Sequence, residues 1–199
     1  KKVYVFGRGE FVTDREDVFY FRFDSERAML QKFFEMWDKE SPDIMTGWNI
    51  DTFDIPYLVN RAMRLFDDKK NPYKLLSPWR KLREYKMFGL GGQELQTYEI
   101  YGVETLDYLA MYRKFTYINQ ESYRLDHIAF VELGERKLDY SEQGSLHLLY
   151  KNDYQKFIEY NIKDVELVEQ LENKMKLLEM IVSLAYLSKV NYSNTFGQV

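Results

Sequence analysis

Thr46-Gly-Trp-Asn-Ile-Asp-Thr-Phe-Asp-Ile-Pro-Tyr57 reads as the end of a β-strand turning into a helix. Upstream, Asp43-Ile-Met-Thr-Gly47 has the short apolar run of a strand. Downstream, Pro56 suits a first helical turn, where its missing N–H is not needed. Asp51, Thr52 and Asp54 are all cap-type residues, yet one helix start uses only one N-cap. Two readings of Asp54 are therefore open. It is a cap or a partner of the helix dipole, or a carboxylate presented at a strand-to-helix junction, where α/β folds place ligand sites.

On either side of this junction the same kinds of element recur. Lys2-Val-Tyr-Val-Phe6 and the aromatic-rich Val18 to Phe23 read as strands. Ser25 can cap a helix to about Lys39, with Ala28, Leu30, Phe33, Phe34 and Trp37 as its apolar positions. A helix from about Asp54 to Phe66 follows the junction. Lys81 to Tyr101 alternates around Gly89-Leu-Gly-Gly92, a β-hairpin signature. Glu104 to Leu106 is a short strand leading into a helix near Asp107 to Lys114. Ser122 can cap another helix to about Leu133, Ser145 to about Glu172 is largely helical, and a last helix occupies about Lys174 to Lys189. Asn191 to Val199 is polar and loop-like. Strands interleaved with helices predict a layered α/β domain.

A chain of 199 residues with 45% hydrophobic and 17% aromatic residues has enough apolar material for a core, which excludes disorder. The longest apolar candidate, Leu177 to Leu187, is broken by Glu179 and Ser183 and falls short of the roughly 18 to 20 residues a membrane span needs. There is no cysteine, so disulfides and thiolate metal sites are excluded. A net charge of −4 is not the basic footprint of a non-specific duplex binder. It fits a protein whose acids gather to hold cations.

The helix around Asp164 carries the second informative feature. At about 100° per residue, Phe157, Val165, Leu167, Val168 and Leu171 fill one broad arc, while Lys156, Glu159, Lys163, Glu166 and Gln170 fill the other. Asp164 falls in the middle of the apolar arc, with Tyr160 one turn earlier. A carboxylate there needs a cation, a donor network or a raised pKa. A backbone amide, an arginine or a metal ion would each answer that need. His127 and His147 have no ligand-like spacing to a partner and read as core or surface residues.

Taken together, Asn49-x(3)-Phe53-Asp54-x-x-Tyr57 and Tyr160-x(3)-Asp164, in this order and with the acids 110 positions apart, resemble the second and third exonuclease motifs of family B DNA polymerases. These belong to the tyrosine-containing branch of the DEDD exonucleases. The nearest likeness is to the polymerases of T-even-like bacteriophages. It extends through Thr46-Gly-Trp-Asn49, Ser122-Tyr-Arg-Leu-Asp126 and Tyr160-Asn-Ile-Lys-Asp-Val165, and covers nearly the whole chain. The resemblance implies a ribonuclease-H-like α/β fold, a mixed sheet flanked by helices with an inserted β-hairpin. Residues 1–188 would form the 3′→5′ proofreading exonuclease domain, and 189–199 would begin the connection to the polymerase palm.

It also implies a chemistry. Two divalent cations, Mg²⁺ or Mn²⁺, clamped by carboxylates about 3.5 to 4 Å apart, cleave a phosphodiester by activating water and stabilising the leaving 3′-oxygen. Asp54 and Asp164 would be metal ligands and Tyr160 would orient the attacking water. Asn49, with Thr46 and Phe53 beside it, would contact the 3′-terminal nucleotide. Lys137, in Arg136-Lys-Leu-Asp-Tyr140, matches a family lysine near the scissile phosphate; as a residue it reads equally as a solvated surface lysine. The hairpin resembles an element that keeps primer and template strands apart, and reads equally as an ordinary surface hairpin. The expected partners are a single-stranded primer 3′ end, the rest of the polymerase and a sliding clamp, with no membrane, in the cytoplasm of an infected bacterium.

One departure is plain. The family's first motif, an Asp-x-Glu on a buried strand, is absent before Asp54. Asp14-Arg-Glu16 has the letters but sits in a polar turn. The expectation is therefore an exonuclease region that is inactive or weak by itself, with a sheet incomplete at its N-terminal edge. A stand-alone DEDD nuclease or a catalytically silent DNA-binding module are the competing readings.

Overall fold

The computed structural model describes residues 1–67, 71–88, 92–134 and 146–195. These fall into two compact units, Lys1–Met29 with Gln120–Lys174, and Leu30–Asn119 with Met175–Val199.

In the first unit, β1 (Val3–Gly7) and β2 (Val18–Arg22) pair in parallel, from Val3 opposite Val18 to Gly7 opposite Arg22. Alternation along the strands sorts their side chains onto two faces. Tyr4 and Phe6 meet Phe19 and Phe21 on one face, with ring centroids 5.7 and 5.4 Å apart. Val3, Val5, Val18 and Tyr20 face the other way and pack with Ile158 and Ile162 of α6 (Tyr154–Met175). The loop between the strands is strapped to this helix. Gln155 accepts from the Val12 N–H at 3.0 Å and donates to the Val12 carbonyl at 2.8 Å, and Arg15 pairs with Glu166. Gly7 and Gly9 are required beside Tyr154, because a Cβ at either would collide with that side chain. The unit also holds α4 (Leu125–Leu133), closed by Gly134 at φ 72°, and α5 (Leu146–Asn152).

In the second unit, α1 (Glu26–Glu40), which belongs to this unit from Leu30 onward, supplies Leu30 and Phe34 to a core shared with Ile55, Val59 and Ala62 of α2 (Asp54–Leu65). Tyr98 and Ile100 of β5 (Glu94–Ile100) complete it. β5 pairs antiparallel with β4 (Leu82–Phe88), the expected hairpin, whose residues 89–91 lie outside the described ones. β3 (Ile44–Gly47) runs parallel to β6 (Glu104–Asp107), with Gly47 opposite Asp107. From β6 the chain enters α3 (Tyr108–Phe115), whose Tyr108, Met111 and Tyr112 are fully buried. The last helix, α7 (Leu177–Ser188), buries Leu177, Ile181 and Ala185, the period of one helix face.

Four expectations need correction. The single mixed sheet is replaced, among the described residues, by three two-stranded ladders. Two of the ladders are parallel and one antiparallel, which strand patterns alone do not specify. The stretch expected to be largely helical, from Ser145 to about Glu172, is so, as two helices that part at Asp153, whose carboxylate accepts from the Lys156 N–H at 3.0 Å and starts α6 afresh. Ser122 does not cap α4; it accepts from the Arg124 N–H, two residues too early, and Arg124 holds the cap position. Val165 is 65% exposed, because the buried stripe of α6 runs through Ile158, Tyr160, Ile162, Leu167 and Leu171. The segment after Asn191 is not a free loop throughout: Tyr192–Thr195 forms a 3-10 turn held by a Ser193 N–H bond to Glu104.

Candidate active site

The junction between β3 and α2 is built from backbone bonds before any side chain acts. Phe53 N–H donates to the Asn49 carbonyl, Ile55 N–H to that of Ile50, and Tyr57 N–H to that of Phe53. Asn49 takes a left-handed φ of 65°, a conformation asparagine tolerates better than most residues. Its Oδ1 accepts from the Thr52 hydroxyl at 2.5 Å. Thr46 donates from its hydroxyl to the Leu106 carbonyl at 2.7 Å, tying β3 to β6. No side chain caps α2; the N-cap position falls on Phe53. The capping reading of Asp54 is therefore removed, and its carboxylate is left available at the first turn of the helix.

Asp54 is exposed on one side, yet protein on its other sides strips away enough water to push its carboxyl up to about 6. Repulsion from Asp107 adds to that shift and its own backbone N–H opposes it. Asp51, half-buried, is pushed up to about 7, first by burial and then by Asp107. Among the described residues, burial and the neighbouring Asp107 disfavour the ionised form of both carboxyls. A hard divalent cation with oxygen ligands would favour that form. Asp54 offers oxygen donors of the kind such an ion takes. Among the described residues, no three His, Cys, Asp or Glu side chains converge, so water and substrate oxygens would complete its shell.

The folded chain holds the Asp51 proton more tightly than the unfolded chain, whose aspartates titrate near 4. That contribution favours the fold below about pH 4 and is lost as the pH rises through about 7. Asp51→Asn should therefore raise the unfolding free energy at pH 8 by about 1 to 2 kcal/mol after discounting for partial solvent access, and change it little at pH 4. Equal shifts in melts at both pH values would contradict this.

Phe53 and Tyr57 lie one turn apart at the entrance to α2. They are 64% and 59% exposed, with ring planes 9° apart and centroids at 6.3 Å. Side by side they form a small exposed aromatic patch. The stack was not foreseen, although aromatics at i and i+4 on a helix signal it.

Asp107 was also missed as a site residue. It is 5% exposed and accepts from four backbone N–H groups: Leu109 and Ala110 at the start of α3, and Asn49 and Asp51 in the junction loop. Its signal was faint, an aspartate at a strand end that reads as a helix cap.

Thr46, Asn49, Phe53 and Asp54 all belong to the second unit, and Tyr160 and Asp164 to the first. On α6, Tyr160 is buried and Asp164 is half-buried, with its Oδ1 sealed from solvent. Their four-residue spacing puts both on one face of the helix. Lys137 lies outside the described residues. Asp14 and Glu16 are exposed in the turn before β2, as expected of a polar turn.

Residues 8–128 match the family described as DNA polymerase family B, exonuclease domain. The DNA-directed DNA polymerase of Escherichia phage RB69 is 35% identical over 185 residues, 92% of this chain and 20% of that protein. That of Enterobacteria phage T4 is 33% identical over 188 residues, 94% of this chain and 20% of that protein. DNA polymerase 1 of Sulfolobus acidocaldarius is 32% identical over 171 residues, 84% and 17% respectively. The chain thus spans about a fifth of the phage proteins it matches. The family match ends before α6, whereas the two phage relatives match over nearly the whole chain.

Proposed function

The chain belongs to the exonuclease domain family of family B DNA polymerases, and from that premise we propose that it is the 3′→5′ proofreading region of a phage replicative polymerase. In this reading a frayed primer 3′ end enters as a single strand and loses nucleotides as 5′-monophosphates. Residues 1–188 are the exonuclease domain, of ribonuclease-H-like architecture, and 189–199 lead toward the palm. The observation that carries the reading is Asp54 itself, a carboxylate released from helix capping and open to solvent where β3 turns into α2.

Each residue then has a task. Asp54 and Asp164 would supply hard oxygen ligands for Mg²⁺ or Mn²⁺, whose chemistry there would be activation of water and relief of charge on the leaving 3′-oxygen. Tyr160, one turn before Asp164, orients the attacking water through its hydroxyl. The exposed Phe53–Tyr57 stack offers a face on which the terminal base can lie, with Asn49 and Thr46 beside it. Lys137 would approach the scissile phosphate. The β4–β5 hairpin divides primer from template, and the sliding clamp acts through the rest of the polymerase.

A 5′-labelled single strand tests this with the intact polymerase. With Mg²⁺ the strand should shorten stepwise from its 3′ end, and chelating the metal should stop it. A protein that binds the strand and never shortens it would be the silent module instead.

A further inference from the structure

Asp107 does two jobs with one carboxylate, and they can be separated. Its Oδ1 accepts from Leu109 N–H at 2.9 Å and Ala110 N–H at 3.3 Å, the ordinary work of a helix cap on α3. The same oxygen accepts from Asn49 N–H at 3.1 Å, and Oδ2 accepts from Asp51 N–H at 3.2 Å. The register explains the reach. Asp107 stands opposite Gly47 in the β3–β6 ladder, so its side chain meets the loop just as that loop leaves β3. Gly47 is pinned from the other side, since a Cβ there would collide with the buried Ile50. Between these contacts lies Asn49 with its left-handed backbone. Three residues beyond Asp51 lies Asp54.

We propose that Asp107 is a positioning residue for the exonuclease: by gripping the amides of Asn49 and Asp51 it sets the loop that presents Asn49 to the 3′ nucleotide and Asp54 to the cations. This rests on the function proposed above. A cap needs only the α3 amides. The two further bonds cross 58 and 56 positions of sequence to reach the loop that carries the site. Holding four amides in a buried place also offsets much of the cost of burying the charge.

The test uses Asp107→Asn in the intact polymerase. Asparagine caps helices as well as aspartate does, but where Oδ2 faced the Asp51 N–H it places an NH₂ donor against a donor. Asp107→Ser, a cap with no second oxygen, serves as the companion variant should the amide disturb folding. Both should keep the far-UV dichroism spectrum at the assay temperature. Both should lower kcat for single-strand hydrolysis by about 10- to 100-fold, the usual effect of removing a group that orients a metal ligand, and move the Mg²⁺ activation midpoint upward. A purely structural residue would move the melting temperature and leave those two quantities alone. If both variants keep kcat and the Mg²⁺ midpoint within about twofold while Asp54→Ala is inactive, the positioning role is overturned and the exonuclease stands. If Asp54→Ala is itself fully active, the exonuclease reading falls and takes this proposal with it.

Discussion

Asp54→Ala and Asp164→Ala, each introduced into the intact polymerase, should lower the rate of 3′→5′ hydrolysis on the order of 10³-fold or more, and the double variant should be little worse than either alone. The first part follows from charge. Cleaving a phosphodiester builds negative charge on the attacking and leaving oxygens, and cations held by carboxylates are worth several kcal/mol there. At about 1.36 kcal/mol per tenfold, the loss of one ligand reaches that scale. The second part follows from shared purpose. If both acids serve one metal centre, removing either disables it, and residues that act as a unit show strongly non-additive effects. Single-turnover assays with Mg²⁺ measure all three variants. Independent losses that multiply would show that residues 54 and 164 serve separate sites, and the metal assignment would have to be abandoned.

Phe34→Ala should cost about 3 to 5 kcal/mol of stability, the range for truncating a fully buried phenylalanine. Phe34 is 0% exposed and belongs to the core formed with Val59, Ala62, Ile55 and Leu30. Its own neighbour Phe33 meets it edge-on at 5.4 Å. Little can collapse into the space left behind, because the surrounding side chains sit on two helices fixed by the rest of the core. Against a total stability of about 5 to 15 kcal/mol, the thermal midpoint should fall by about 6 to 20 °C. Tyr186→Ala, at an 83% exposed position, should change stability by about 0.5 kcal/mol or less. A urea melt that ranks the two variants together would mean that the α1–α2 core is not what holds this unit.

Much of this was legible in the sequence, for a physical reason. Lys2 to Phe6 and Val18 to Phe23 are runs of β-branched and aromatic residues that suit a pleated surface, and both segments hold strands. Ser25 capped its helix as its hydroxyl chemistry suggests, accepting from the Ala28 N–H at 3.2 Å. The strand-to-helix junction at Asp54 could be placed because strand and helix periods meet there. What stayed hidden depends on contacts that periodicity does not encode. Asp107 is distinguished only by amides 56 and 58 positions away. The break at Asp153 interrupts a helical pattern that continues on both sides, and only the capping geometry reveals it. Strand pairing was misjudged for the same reason: a strand's pattern says which face it buries and not which neighbour it takes. A helical wheel for α6 put Val165 inside because it gives all 22 residues one burial direction, whereas the covered stripe shifts along the helix.

The grip of Gln155 on the loop before β2 leaves an asymmetric record for mutation to follow. Both of its bonds to the loop are to the main chain of residue 12, whose side chain is 79% exposed. Drift at residue 12 is therefore free for any residue with a backbone N–H. Position 155 has no such freedom: asparagine is one methylene too short to span the same gap, and glutamate brings two acceptors where one donor is required. Among related chains, identity should be kept at the helix position and lost at the loop position, the reverse of what a contact between two side chains would leave.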